Sequence, residues 1–389
     1  MAPSPLRIFI LGSTGSIGRQ TLDVVSRHPG AFDVVGLVAG TSVAALLEQA
    51  RDHGVQVVGV NDEAAGGELR AGVSGLQTAV GMEEICSQMV SLRPDLVIAA
   101  MSGVVGLTPV MAAVSAGLDV ALANKEPLVA AGELVTGTAA RTGSRLVPVD
   151  SEISAVFQCL EGPSRPYLKR VLLTASGGAF RDLSRDELAR VTPEQALNHP
   201  TWNMGPKITV DSATLANKGF EVFELKWLFG LDFSDIEVVI HHQSIIHSLV
   251  EFVDGSILAQ MSLPDMRFAI QYALTWPERV LSDYPRLDLA QVGSLTFGRP
   301  DLVRFPCLRL AFDAGRAGRS YAAALNAANE EAVDLFLARR IGFTTIPELV
   351  ERALDEHEPV DVKSLDVVLA VDADTRKRVR KMVNGDRHV

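Results

Sequence analysis

Leu6-Arg7-Ile8-Phe9-Ile10-Leu11 runs without a break into Gly12-Ser13-Thr14-Gly15-Ser16-Ile17-Gly18. The first six residues are mostly apolar and partly branched, which predicts a short buried strand. An amphipathic helix follows, with Ile17, Leu22, Val24 and Val25 as its apolar positions. Glycines between a strand and a helix allow a tight turn and let the backbone approach a pyrophosphate, which then rests on the helix N-terminus. The spacing is G-x-x-G-x-x-G rather than the commoner G-x-G-x-x-G. A glycine turn of another kind of α/β protein would look similar, so the flanking strand and helix carry the reading.

Outward from this turn, a second strand over 33–39 ends in Gly40-Thr41-Ser42. An NAD site places an acid near that point to hold the ribose 2′-hydroxyl. Here the nearest following acid is Glu48, so a 2′-phosphate meets no repulsion and NADP(H) is the expected form. The alternation continues with a strand over 96–100, a helix over 104–116 and a strand over 119–123. After Asn124-Lys125-Glu126-Pro127 come a helix to about 140 and a strand over 146–149. This pattern predicts a doubly wound parallel sheet. Lys125 falls at a strand exit on the crevice edge, either as a solvated charge or as a substrate contact.

The next strand exit carries Pro148-Val149-Asp150-Ser151-Glu152. Strand alternation would point Asp150 and Glu152 the same way. Two carboxylates so close call for a cation between them, and oxygen ligands suit Mg²⁺ or Mn²⁺. From these residues alone, a solvated loop whose Asp150 or Ser151 caps a helix over 153–160 is the commoner reading.

Composition limits the options. At 389 residues the chain calls for two or three domains, and 47% hydrophobic with 21% charged residues describes a compact fold. The 36 basic against 47 acidic residues give a net charge of −11, which argues against a nucleic acid or an anionic membrane as partner. Cys86, Cys159 and Cys307 form no pairing pattern, and a reducing cytoplasm is the expected location. Met1-Ala2-Pro3-Ser4-Pro5 has no basic leader character. The uncharged span 96–118 is long enough for a membrane, but its glycines, prolines and serines punctuate it as strand, helix and turn.

Further along, a strand over 169–174 enters Ala175-Ser176-Gly177-Gly178, a loop able to offer N–H groups and a hydroxyl to an anion. Thr192-Pro193 starts a short capped helix. His199-Pro200-Thr201-Trp202-Asn203-Met204-Gly205-Pro206 reads as a lid. In 210–221, Asp211 or Ser212 is expected to cap a helix running to Phe229, with Asn217, Lys218 and Glu221 on one face. Runs over 236–240, 248–253 and 256–261 predict an antiparallel meander, and His241, His242 and His247 lack zinc spacing. The stretch 280–306 reads as a linker and the remainder as helical. Thr345-Ile346-Pro347-Glu348 resembles a capping box, and the basic run 376–381 a solvated helix end.

Together these phrases resemble the 1-deoxy-D-xylulose 5-phosphate reductoisomerase family. The match rests on 12–18, Ala123-Asn124-Lys125-Glu126, 148–152, Ser176-Gly177-Gly178, His199-Pro200, Trp202, Met204-Gly205, Asp211-Ser212-Ala213-Thr214, Asn217-Lys218-Gly219, Glu221, Gln243-Ser244 and Ile246-His247-Ser248. The resemblance implies an α/β chain with a Rossmann-type NADPH-binding domain over 1–150 and a catalytic, metal-binding and dimerising α+β domain over 151–280. A linker over 281–311 and a helical domain over 312–389 complete it. It implies NADPH contacts from Gly12, Ser13, Thr14, Gly15, Ser16, Ile17 and Gly18, from Gly40, Thr41 and Ser42, and from Asn124, Glu126 and Gly205. A divalent cation (Mg²⁺, Mn²⁺ or Co²⁺) would be held by Asp150, Glu152 and Glu221. A small phosphorylated sugar would meet Lys125, Ser151, Glu152, Ser176, His199, Ser212, Asn217, Lys218 and Glu221. Lys125, Glu152 and His199 would serve catalysis, Trp202 and Met204 the lid, and the molecule would be a homodimer. Ile153 and His242 depart from the family pattern, which usually has histidine and proline there.

Overall fold

The computed structural model describes residues 4–385. The opening Met1-Ala2-Pro3, part of the stretch read for a targeting signal, lies outside the described residues, as do 386–389. The chain forms two compact units. One comprises Met1–Pro127, Val135–Asp150 and Met266–Ser282; the other comprises Leu128–Leu134, Ser151–Asp265 and Asp283–Val389.

In the first unit the strands are β1 (Leu6–Leu11), β2 (Phe32–Ala39), β3 (Val57–Val60), β4 (Gln77–Val80), β5 (Leu96–Ala99), β6 (Asp119–Leu122) and β7 (Leu146–Pro148). They form one sheet in the order β4-β3-β2-β1-β5-β6-β7, with every pairing parallel. Helices connect successive strands because parallel neighbours need a crossover. Ile8, Phe9, Ile10 and Leu11 are buried, as a strand covered on both faces requires. Strand order reverses between β1 and β5, which opens the crevice at their carboxyl ends. The expected helix over 104–116 is a 3₁₀ turn at Val104–Gly106 followed by an α-helix at Leu107–Ser115.

In the second unit β8 (Leu168–Ala175), β9 (Ile236–Ile240), β10 (Ile246–Phe252) and β11 (Ile257–Met261) pair in the order β11-β10-β8-β9. The expected meander holds for β10 and β11, joined by the turn at Asp254-Gly255. It fails for β9, which pairs with β8 in parallel rather than with β10. The physical reason is the long helical crossover between β8 and β9, whose pairing partner is not a local property of the sequence.

The cap expected at Asp211 or Ser212 is also corrected. Both lie inside a helix at Pro206–Thr214, which a second helix, Ala216–Phe229, follows. Leu215 separates the two in the left-handed region (φ 63°). Proline at the first turn starts the earlier helix, and its N-cap is Gly205.

The C-terminal helices Cys307–Ala317, Tyr321–Leu337, Thr345–Asp355 and Leu365–Gly385 contribute to the same apolar core as β8, β9 and β10. Phe220, Phe223 and Phe336 are among the largest side chains buried in it. Ile153 is fully buried in this core. The stretch read as a linker is tied to the sheet through Ile240 and Gly298, which exchange backbone hydrogen bonds.

Two tail expectations are overturned. The N-cap before Ile346 is Thr344 and makes no side-chain cap bond, so no capping box forms there. The basic run is not simply a solvated end: Arg376 pairs with Asp372 and Glu330, and Arg380 grips Glu331 with two bonds. Among the described residues no helix is long and apolar enough to cross a membrane.

Candidate active site

In the first unit, Gly12 lies at the end of β1 with φ 84°, and a Cβ there would lie 2.5 Å from the Ala100 carbonyl oxygen. No other residue type fits that approach. The helix Ser16–Arg27 begins directly after the turn, with Gly15 as N-cap, no side-chain cap and no acid in its first turn. Its first N–H groups therefore face no built-in carboxylate. Ser13 is fully buried, and its Oγ has no hydrogen-bond partner. An orphaned buried hydroxyl beside a glycine turn fits a ligand that supplies acceptor oxygens.

Gly40-Thr41-Ser42 follows β2, with Ser42 heading helix Val43–His53 without a side-chain cap bond. At the end of β6, Asn124 donates through Nδ2 to the Gly103 carbonyl and to Glu126, while its Oδ1 is buried without a partner. Lys125 is buried beside it, and its Nζ donates to Asp150 Oδ2 at 2.5 Å.

In the second unit, Glu152 and Glu221 share one ammonium. Lys218 Nζ donates to Glu152 Oε1 at 2.7 Å and to Glu221 Oε2 at 2.5 Å. The remaining oxygens are also engaged: Ser151 Oγ donates to Glu152 Oε2 and Asn217 Nδ2 to Glu221 Oε1. Burial works against the Lys218 charge, but Glu152 and Glu221 outweigh it and raise its pKa. Helix spacing explains the local part, since Asn217, Lys218 and Glu221 sit three to four residues apart. Asp150, Glu152 and Glu221 each offer a carboxylate oxygen, and these lie within 4.8 Å of one another. Strand alternation is not the cause, as the expectation had it. β7 stops at Pro148, and Glu152 occupies the first turn of helix Ser151–Cys159. Three hard oxygen donors held by hydrogen bonds form a set that fits Mg²⁺ or Mn²⁺.

A second group surrounds the loop after β8. Ser176 Oγ accepts from the Gly178 N–H at 3.1 Å and lies 3.1 Å from His199 Nε2. His199 Nδ1 accepts from the backbone N–H groups of Thr201 and Trp202. The neutral ring therefore carries its proton on Nε2 and donates to Ser176. Burial, helped by the Arg181 charge, pushes the His199 pKa down to about 4, so the ring is neutral at physiological pH. Gly178 has φ 75°, and a Cβ there would lie 2.5 Å from the Ser212 carbonyl oxygen. The loop thus rests directly on the backbone of Ser212. Trp202 places its ring edge-on to His247 at 6.1 Å between centroids. Met204 precedes Gly205, whose carbonyl accepts from Thr209.

His241 and His247 have ring nitrogens engaged by other groups. His241 Nδ1 lies 2.9 Å from the Thr296 carbonyl, and its Nε2 accepts from the N–H groups of Ile245 and Ile246. His247 Nε2 lies 2.9 Å from Ser262 Oγ, and burial lowers its pKa against the opposing pull of Glu152. Several supports escaped the sequence reading. Arg181 and His242 both approach the Ser176 carbonyl. Asn329 and Lys207 hold the buried Asp211 carboxylate, at 2.7 and 2.9 Å. Partners 118 residues apart, as Asn329 and Asp211 are, leave no local signal.

Three family models match the chain: 1-deoxy-D-xylulose 5-phosphate reductoisomerase over 8–132, the C-terminal domain of that enzyme over 146–229, and the DXP reductoisomerase C-terminal domain over 261–378. The reductoisomerase of Heliobacterium modesticaldum is 51% identical over 98% of this chain and 99% of its own length. The chain belongs to the 1-deoxy-D-xylulose 5-phosphate reductoisomerase family. The family's Moorella thermoacetica protein is 52% identical over 97% of this chain and 98% of its own. The Zymomonas mobilis reductoisomerase solved with NADPH superposes with a TM-score of 0.90 at 39% identity, covering 97% of this chain and 99% of that one. A reductoisomerase solved with NADPH, fosmidomycin and magnesium superposes with a TM-score of 0.92 at 38% identity, covering 98% of each chain.

Proposed function

We propose that this chain is an NADPH- and metal-dependent reductoisomerase. It rearranges the skeleton of 1-deoxy-D-xylulose 5-phosphate and reduces the branched aldehyde to 2-C-methyl-D-erythritol 4-phosphate, a step in making isoprenoid precursors by the non-mevalonate route. The observation that carries this reading is the grouping of Asp150, Glu152 and Glu221 within 4.8 Å, in a chain of this family. A metal-free dehydrogenase has no use for such a group.

Asp150, Glu152 and Glu221 would hold the cation, Mg²⁺, Mn²⁺ or Co²⁺. When bound, it supplies Lewis-acid polarisation of the ketone and of the oxygens that carry developing charge. NADPH supplies the hydride and would rest on Gly12 to Gly18, with Gly40, Thr41, Ser42, Asn124, Glu126 and Gly205. Division of labour follows the chain: 1–150 for the cofactor, 151–280 for metal, substrate and dimer contacts, and 312–389 as helical support beyond the linker 281–311.

The chain's own groups divide the remaining work. Lys125, hydrogen-bonded to Asp150, would donate to a substrate hydroxyl, and Lys125 and Glu152 would be the proton-transfer participants. Ser151 and Asn217 fix the orientation of the two glutamates. Ser176, Ser212, Asn217 and Lys218 would hold the phosphate, with His199 as a neutral donor that steadies Ser176. His199 therefore orients and does not shuttle protons. Trp202 and Met204 would close over the substrate and exclude water. The working form is a homodimer in a reducing cytoplasm, acting on a small phosphorylated sugar without nucleic acid or membrane.

The test is product identity. Purified protein with 1-deoxy-D-xylulose 5-phosphate, NADPH and Mg²⁺ should yield the branched polyol phosphate by NMR. NADPH consumption that gives only an unbranched polyol would establish a plain dehydrogenase instead.

A further inference from the structure

We propose that His242 is a positioning residue that sets the Ser176-Gly177-Gly178 loop for phosphate by donating to the Ser176 carbonyl. This rests on the reading above that the loop binds the substrate phosphate. His242 Nδ1 lies 3.0 Å from the Ser176 carbonyl oxygen. A carbonyl only accepts, so the Nδ1 atom carries the proton. The same ring lies against Gly177, where an added Cβ would sit 3.5 Å from Cε1.

The loop needs an external hold. Gly177 and Gly178 have φ of 86° and 75°, and consecutive glycines lose the most backbone freedom on ordering. The handle just before them is the Ser176 carbonyl, taken by His242 from one residue and by Arg181 Nη1 at 3.2 Å from another. On the side-chain end, Ser176 Oγ accepts from Gly178 N–H and from His199 Nε2–H. With both acceptor positions used, the Ser176 hydroxyl proton is directed outward as a donor to an anion. Rotation at Ser176 would misdirect that proton, and His242 opposes the rotation.

The residue before His242 is well anchored. The adjacent His241 donates its backbone N–H to the Ala175 carbonyl at 2.7 Å, and its ring is committed to Thr296, Ile245 and Ile246. The imidazole that reaches the loop thus stands on a segment pinned to the end of β8.

The test uses full-length protein in steady-state assays, with inorganic phosphate as a competing probe. His242→Leu keeps bulk and removes the donor; His242→Asn places an amide N–H near the Nδ1 position. Loss of one hydrogen bond predicts a rise of about fivefold in substrate KM for His242→Leu. Inhibition by inorganic phosphate should weaken by a similar factor, while kcat and the KM for NADPH stay within about twofold. His242→Asn should recover most of the loss. An unchanged substrate KM in His242→Leu overturns the proposal. So does a joint loss in kcat and both KM values that His242→Asn does not recover. The underlying reading is checked separately in the unsubstituted protein: turnover with competitive inhibition by phosphate upholds it whatever the variants do, and absence of both removes it together with the proposal.

Discussion

Two acid–base clusters in the second unit use similar charges in different ways. Around Lys218, two carboxylates converge on one ammonium, and the Glu221 side chain is fully buried. Around the tail helix, Arg376 spans Asp372 and Glu330, and Arg380 meets Glu331 through two parallel bonds. A guanidinium fork matches a carboxylate and fills its acceptor positions, whereas an ammonium is a compact charge that can share carboxylates with another cation. The arginine cluster is therefore a closed structural clasp. The lysine cluster, with Asp150 nearby, keeps the donor set a metal needs. Net charge does not distinguish the two; head-group geometry does.

This contrast predicts opposite responses to substitution. Glu221→Gln removes one of the three proposed anionic ligands, and losing several kcal/mol of transition-state stabilisation should lower kcat on the order of 10³-fold. Glu221 is also one partner of a buried ion pair, so the variant should lose stability as well, and kcat is read well below its urea midpoint; the loss of kcat is what separates this cluster from the other. Gly178→Ala forces a Cβ against the Ser212 backbone at a positive φ, and displacement of the loop should lower kcat/KM by on the order of 10²-fold. In the arginine cluster, Arg376→Met strands two partly buried carboxylates. It should lower stability by roughly 2–4 kcal/mol in urea titration while leaving kcat near its original value. Loss of kcat without loss of stability there would erase the distinction.

The smallest expected effect is on pH. The folded-state pKa of His199 is depressed to about 4, below the unfolded value of 6.5. Between those values the unfolded chain binds more protons, so this group makes stability rise with pH from about 4 to 6.5 and contributes fully above that range. His199→Asn should flatten that part of the stability profile in thermal melts, and the KM for substrate should show no His199 titration near neutrality. A titration there would return His199 to proton transfer.

Much of this was legible in the sequence, unevenly. The first sheet could be read because each of its decisive steps is local: Leu6–Leu11 is a buried run, and the glycine turn sits between strand and helix. Asn217, Lys218 and Glu221 could be grouped because helix spacing puts them together. The proposal that Asp150, Glu152 and Glu221 together hold a metal came through resemblance, while strand alternation as the cause for Asp150 and Glu152 fails at the end of β7. What stayed hidden depends on distant partners. The parallel pairing of β9 with β8 spans a helical crossover, and the arginine clasp joins helices that are separated in the chain. The break at Leu215 also gave no warning, because a leucine at φ 63° is held there by its surroundings rather than by its own preference.

The most direct measurement is NADPH oxidation by the purified protein with 1-deoxy-D-xylulose 5-phosphate, before and after chelation of divalent metal. Turnover should stop with chelator and return on adding Mg²⁺ or Mn²⁺. Turnover that continues unchanged in chelator would contradict the role assigned to Asp150, Glu152 and Glu221.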